Sequence, residues 1–161
     1  MHVVIAIGAG EIEFEDRSEV DPGAYKAVLG LQKYINNGEL EKGLIALVDI
    51  RASQLNGCAW CLDMHVEEAR EAGIPQRQID LVAAWEETGE LFTPRQRAAL
   101  AFTEQVTLIS RHGVSDEVWA QVRAEFSEEQ TVQLLMTIAT INVWNRMNVT
   151  VRNAPPNTSA A

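Results

Sequence analysis

The sequence predicts an all-α protein, a bundle of about six to seven helices, and three observations carry that reading. Helix-start signatures recur along the chain: Asp21-Pro22, Thr93-Pro94-Arg95-Gln96 and Ser127-Glu128-Glu129-Gln130. Each sets a capping side chain ahead of a helical run, and the last two add a Gln that can reach back to the cap's own N–H. Apolar residues return every three or four positions through most of the chain after residue 20, which is the period of a helix. No convincing pair of strand-like runs follows residue 20.

A chain of 161 residues is sized for one domain. It is long enough to bury a core without staples. Residues 1–20 read as an N-terminal arm, 21–152 as the helical domain and 153–161 as a flexible tail of small residues and prolines. Within the arm, Val3–Ile7 is a short β-like run followed by Gly8-Ala9-Gly10. Two glycines without the third and without a following helix are weak grounds for a nucleotide loop, so a loose arm or an edge strand is the plainer reading.

Asp21-Pro22 opens the first helix, with Tyr25, Val28, Leu29, Gln32 and Ile35 on one face and Asn36-Asn37-Gly38 as its end. A second helix starts near Glu39 and repeats Leu40, Leu44, Leu47 and Val48. It leads into a polar turn, Ser53–Gly57. The third runs from the cysteines to about Ala72, stopped by Gly73. Pro75 opens a fourth, with Ile79, Val82, Ala83 and Trp85 inward, and Gly89–Phe92 is a loop. The helix after Thr93 carries a buried stripe of Ala99, Phe102, Val106 and Ile109. Ser115 caps a shorter helix with Val118, Trp119, Val122 and Phe126 inward. The helix over about 128–150 is apolar nearly all round, which in a domain this small points to burial against another subunit as well as its own core.

Composition excludes several classes of function. A formal charge of −10 is wrong for a nucleic-acid surface, which needs clustered Lys and Arg. No apolar run approaches the ~20 residues that span a bilayer. The run Val3–Ile7 has no basic stretch before it, so a signal peptide is not expected and the cytoplasm is the expected compartment. There, a lone Cys-x-x-Cys is more often catalytic or metal-binding than a structural staple.

The chemistry gathers in Ile50-Arg-Ala-Ser-Gln-Leu-Asn-Gly-Cys-Ala-Trp-Cys-Leu-Asp-Met-His65, which holds both cysteines and one of three histidines. On a helix, Cys58, Cys61 and His65 share one stripe. Thiols so spaced can close a disulfide, and an imidazole one turn on can take or give a proton. The first turn of a helix favours a thiolate at both sulfurs, because its unpaired N–H groups face negative charge. The bland alternative is that all three simply face the core. His2 falls in the arm, and His112 sits near a helix C-terminus, where a cation is favourable. A closed zinc site wants four Cys or His ligands, and three from one helix do not build one. Haem attachment is excluded because Leu62, not His, follows Cys61. No cofactor or metal is expected.

Four segments together resemble a known family: Ile50–His65, Val20-Asp-Pro-Gly-Ala-Tyr-Lys-Ala27, Leu91-Phe-Thr-Pro-Arg-Gln-Arg-Ala-Ala-Leu-Ala101 and Ile141-Asn-Val-Trp-Asn-Arg146. They are similar to the AhpD-like alkylhydroperoxidases of the carboxymuconolactone decarboxylase superfamily, over roughly Ile12 to Arg152. The resemblance implies an AhpD-like helical bundle assembled as a homo-oligomer, usually a trimer or hexamer. It also implies reduction of hydroperoxides, with an outside dithiol as electron donor. By position, Cys61 would attack the peroxide, Cys58 would resolve it, and His65 would relay the proton.

One position departs from the family pattern. The relay Glu expected twelve residues before the first cysteine is Ala46 here. Asp49, one turn on, and Glu68, three residues after His65, are the candidates to replace it, and the plainer reading of both is an ordinary solvated acid. The alternative function is therefore a redox-responsive binding or scaffold protein with the same fold and little turnover. Muconolactone decarboxylation ranks below both, since that branch does not depend on a cysteine pair.

Overall fold

The computed structural model describes the backbone of Val4–Ile7 and Gly10–Glu13, and residues 21–155. The loose arm otherwise, His2, and positions 156–161 of the expected tail lie outside the described residues. The β-like run is a real strand: β1 (Val4–Ile7) pairs antiparallel with β2 (Gly10–Glu13), Ile5 opposite Ile12. The sequence reading had found the first strand but not its partner. From residue 21 onward the described chain is helical. Eight α-helices and one 3₁₀ segment compare with the six to seven helices expected, the extra one being a single turn.

α1 (Pro22–Asn36) begins where expected, the Asp21 carboxylate accepting from Ala24 N at 3.0 Å. Its apolar face is shallower than the spacing suggested. Ile35 is buried, but Leu29 is about half exposed, because α1 packs chiefly on α8. α2 (Lys42–Asn56) has no capping side chain of its own. Gln133 of α8 instead holds the turn that leads into it, its Oε1 taking Glu39 N and Leu40 N while its Nε2 donates to Ile35 O. Gly38 has to be glycine for this: a Cβ there would sit inside the Gln133 amide.

The supposed polar turn at Ser53–Gly57 is helix as far as Asn56. Its polar side chains do not break the helix because they find partners on α8, as described below. α3 (Ala59–Glu71) ends as expected at Gly73 (φ 80°), with Gly73 N bonding Arg70 O and Ile74 N bonding Ala69 O. α4 (Gln76–Leu81) gives way to a 3₁₀ segment, Val82–Leu91, where a loop was expected from Gly89. Arg97 of α5 holds this segment: its guanidinium lies over the Trp85 ring and donates to the carbonyls of Trp85, Glu86 and Gly89. Ala83 faces solvent, contrary to expectation, while Ile79, Val82 and Trp85 are buried.

α5 (Pro94–Thr107) starts with the expected capping box. It stops two residues before Ile109, which sits in the one-turn α6 (Ile109–His112) and is 61% exposed, so the stripe ends at Val106. α7 (Asp116–Glu125) is capped by Ser115 and buries Val118 and Val122, whereas Trp119 is 46% exposed. α8 (Glu128–Thr150) opens on the second capping box and crosses the domain. It is not apolar all round. Its buried side includes Gln133, Thr137, Thr140, Asn145 and Asn148, while Val132 and Leu135 look outward.

Two apolar clusters form the core. One joins α2, α5, α7 and α8 through Leu44, Val48, Phe102, Val122, Leu134 and Ile138. The other joins α2, α3 and the α4–3₁₀ region through Leu47, Ile50, Ala69, Ile79, Trp85 and Leu100. At roughly 25 cal/mol per Å² of apolar surface, such side chains contribute about 1.5–3 kcal/mol each when buried. α2 lies in both clusters, which fixes its C-terminal end and the residues that follow.

Candidate active site

The site is built on a corner. Gly57 adopts φ 67°, the left-handed conformation that glycine enters without penalty. Gly57 N then bonds Gln54 O, and Cys58 N bonds Ser53 O at 3.0 Å, closing the end of α2. Cys58 is at once the residue beyond that closure and the N-cap of α3, where its sulfur accepts from Cys61 N at 3.3 Å. Both cysteines therefore sit at a helix N-terminus, as expected, and they form a disulfide. Each is 1% exposed, packed with Ala52, Ile141, Trp60 and Trp144.

One turn after Cys61, His65 is also buried. Its Nδ1 is 2.7 Å from Glu68 Oε2 and 3.7 Å from Asp49 Oδ2. A nitrogen facing two carboxylates carries the proton, so the neutral ring leaves Nε2 as its basic atom. That Nε2 is buried with no hydrogen-bond partner among the described residues. A buried unpaired nitrogen is costly unless it has work to do. It lies on the helix face that carries Cys61 four residues earlier.

Asp49 is 5% exposed and belongs to no solvated surface. This corrects the plainer reading of that acid. Burial pushes its carboxyl up to about 7, against the opposing pull of His65, with the Glu68 charge adding to the rise. Burial also works against a charged His65, but the Asp49 carboxylate and the Glu68 hydrogen bond outweigh it and hold the imidazole above its ordinary value. Glu68 is half exposed, and the hydrogen bond from His65 keeps it below the usual carboxylate range. Three groups with perturbed proton affinities thus meet in one place, a pattern characteristic of proton-transfer sites. Ala46 is buried among Leu47, Ile50 and Ala69, in an apolar setting where a carboxylate would be costly.

The opposite flank is neutral. Asn145, fully buried, donates from Nδ2 to Ser53 Oγ at 2.9 Å and accepts at Oδ1 from Asn56 Nδ2 at 2.9 Å. Asn56 Nδ2 also donates to Asn142 Oδ1, and Asn142 donates to Thr107 Oγ1. Further along α8, Asn148 Nδ2 donates to Cys61 Sγ at 3.6 Å. Sequence reasoning missed this flank. The available signal was three asparagines, Asn142, Asn145 and Asn148, at three-residue steps near the end of the last helix.

Comparison with known proteins bears on this geometry. The sequence model of the carboxymuconolactone decarboxylase family matches residues 22–105, which include α1, the cysteine corner and most of α5. The chain belongs to that family. A Bacillus subtilis (strain 168) member, the uncharacterised protein YdfG, is 37% identical over 135 residues, 84% of this chain and 91% of its own. A crystal structure from Agrobacterium tumefaciens is 38% identical, with a TM-score of 0.84 over 88% of this chain and 97% of its own; that protein is of unknown function and is described as an AhpD-type antioxidant defence protein. The AhpD core of a peroxidase-related protein from Ralstonia eutropha JMP134 shares the fold, with a TM-score of 0.75 over 87% of this chain and 74% of its own, at 24% identity. Within the carboxymuconolactone decarboxylase family, then, this chain is AhpD-like.

In this chain the cysteine pair and the Asp49–His65–Glu68 cluster are adjacent but separate. Asp49, His65 and Glu68 offer one ligand atom each within 4.8 Å of one another, enough to hold a cation at three points. The cysteines are not part of that set. No described helix is long and apolar enough to cross a membrane.

Proposed function

We propose that the protein reduces hydroperoxides through a Cys58/Cys61 dithiol–disulfide cycle, with His65 as acid and base and with Asp49 and Glu68 as its relay. The observation that carries the reading is the held imidazole: Nδ1 fixed between two carboxylates, one turn from a disulfide at a helix start. In the reduced protein His65 Nε2 takes the Cys61 proton. The Cys61 thiolate attacks the outer peroxide oxygen, the O–O bond breaks, and the alkoxide leaves with the proton from His65. Cys61 is now a sulfenic acid. Cys58 condenses with it, water leaves, and the disulfide forms. An outside dithiol restores both thiols and is itself oxidised to a disulfide. The cytoplasm is the compartment that suits a cycling dithiol.

Peroxide consumption with a dithiol reductant tests this. Cys61→Ser should abolish turnover and Cys58→Ser should stop it after one equivalent. Full activity in Cys61→Ser would refute the assignment. A second reading, a redox-responsive binding or scaffold protein, is favoured by the 1% exposure of both sulfurs and by Ala46 at the family's relay position. It predicts a disulfide that forms readily but negligible turnover with excess reductant. The same proposal carries a homo-oligomer, a trimer or hexamer, supported by Val132 and Leu135 standing 55% and 42% exposed on α8. Light scattering on the purified protein tests that part.

A further inference from the structure

The two sulfurs accept from groups of different kinds. Cys58 Sγ accepts a backbone N–H, from Cys61. Cys61 Sγ accepts a side-chain N–H, from Asn148 of α8. The orientation of that amide is set by its other contacts. Asn148 Nδ2 also donates to Trp144 O at 3.0 Å, so turning the amide over would put two carbonyl oxygens together. Asn148 Oδ1 accepts from Asn153 Nδ2 at 3.0 Å. Asn153 is brought back onto the helix end by Arg152, at φ 55°, and its own N–H bonds Asn148 O at 2.9 Å. A non-glycine residue in that conformation carries strain. The two hydrogen bonds from Asn153 to Asn148 offset that strain and pin the amide.

We propose that Asn148 is a further catalytic residue, whose side-chain N–H stabilises negative charge on the Cys61 sulfur. This inference rests on the dithiol–disulfide reading of the site. A disulfide sulfur is a weak acceptor, whereas a thiolate is a charged one, and hydrogen bonds to charged groups are the strong ones. The bond therefore tightens whenever Cys61 carries charge. That happens before attack on the peroxide. It happens again when an outside thiolate attacks Cys58, the S–S bond breaks and its electron pair leaves on Cys61. The second thiol of the donor, deprotonated, then displaces Cys58 from the mixed disulfide; Cys58 takes the proton and the donor departs as a disulfide. A better-stabilised leaving thiolate leaves faster, so Asn148 steers the donor to Cys58. The charged groups around the pair are Asp49 of α2, His65 and Glu68 of α3, and Arg146 of α8, which is exposed and donates to Asn142 Oδ1 at 2.8 Å; the buried residues of α8 include none.

Titration of single thiols tests the assignment, read by the ultraviolet absorbance of the thiolate in full-length protein. In a Cys58→Ser background, Asn148→Ala should raise the Cys61 pKa by about one unit. Asn148→Asp, the same shape with a negative charge, should raise it further. In a Cys61→Ser background Asn148→Ala should leave the Cys58 pKa in place. An unmoved Cys61 pKa, or an equal rise at both sulfurs, overturns the proposal. Should the Asn148 variants not fold, Asn153→Ala decides. It leaves Asn148 in place, and the proposal requires a smaller rise at Cys61 only. The titration uses no peroxide, so its failure would leave the peroxidase reading standing, and failure of peroxide turnover would leave the titration result standing.

Discussion

The cysteine pair has two flanks of opposite character. On one, Asp49, His65 and Glu68 are all titratable, all shifted, and linked through one imidazole. On the other, Ser53, Asn56, Asn142, Asn145 and Asn148 are all neutral and hold one another in fixed orientations. Both flanks are polar groups in a buried setting, but they answer different demands. Neutral amides, tied to one another and to neighbouring hydroxyl, carbonyl and Arg146 groups, set positions without themselves titrating. Carboxylates and imidazole respond to pH and leave one nitrogen unsatisfied. On the function proposed above, one flank holds the sulfurs and the other moves their protons.

The largest test of that division is His65→Ala. It should lower peroxide turnover about 10²- to 10⁴-fold near neutral pH, as removal of a general acid–base group does, with partial recovery as pH rises. Stopped-flow peroxide consumption reads it, and an unchanged rate would remove the acid–base role. Next comes Asn145→Ala, which strips partners from the buried Ser53 and Asn56. It should cost about 2–3 kcal/mol of stability in a urea titration, with little change in the pH dependence of what activity remains. A shifted pH profile in Asn145→Ala would break the division.

Asp49→Asn sharpens the charged side. A carboxyl raised from 3.8 to about 7 takes up a proton on folding, so its effect is to make stability fall as pH rises through that interval. His65, also raised, contributes in the same sense: its stabilisation is complete below the ordinary imidazole range and lost as pH rises through its folded value. Glu68, lowered, runs the other way and loses its contribution on acidification. Asp49→Asn should therefore flatten the decline of melting temperature between acid and neutral pH while slowing turnover. Gly57→Ala is the smallest change, about 1–2 kcal/mol from forcing a Cβ into the left-handed region, read by thermal melting.

Much of this was legible in the sequence because helix boundaries are written locally. Asp21, Thr93, Ser115 and Ser127 cap the helices they were expected to cap. Gly73 stops α3 for the same local reason. The stripe Cys58–Cys61–His65 followed from helical spacing, and the sulfurs are joined. What failed was non-local. Ser53 and Asn56 looked like a turn because their partners lie about ninety residues away on α8. Asp49 looked solvated because nothing nearby in the chain says that α3 covers it. The end of α5 was misread because Ile109 keeps the apolar period after the helix has stopped. The role of Asn148 depends on a contact between α3 and α8, which no local pattern contains.

Cys58 closes one helix and opens the next, so no spare residue separates them. Length is therefore as constraining here as identity. Inserting or deleting one residue between Cys58 and Cys61 would turn Cys61, His65 and Glu68 together by about 100° about the α3 axis, swinging the second sulfur off the first and the imidazole away from Asp49. Natural variation in this segment should run through substitution and almost never through a change in spacing.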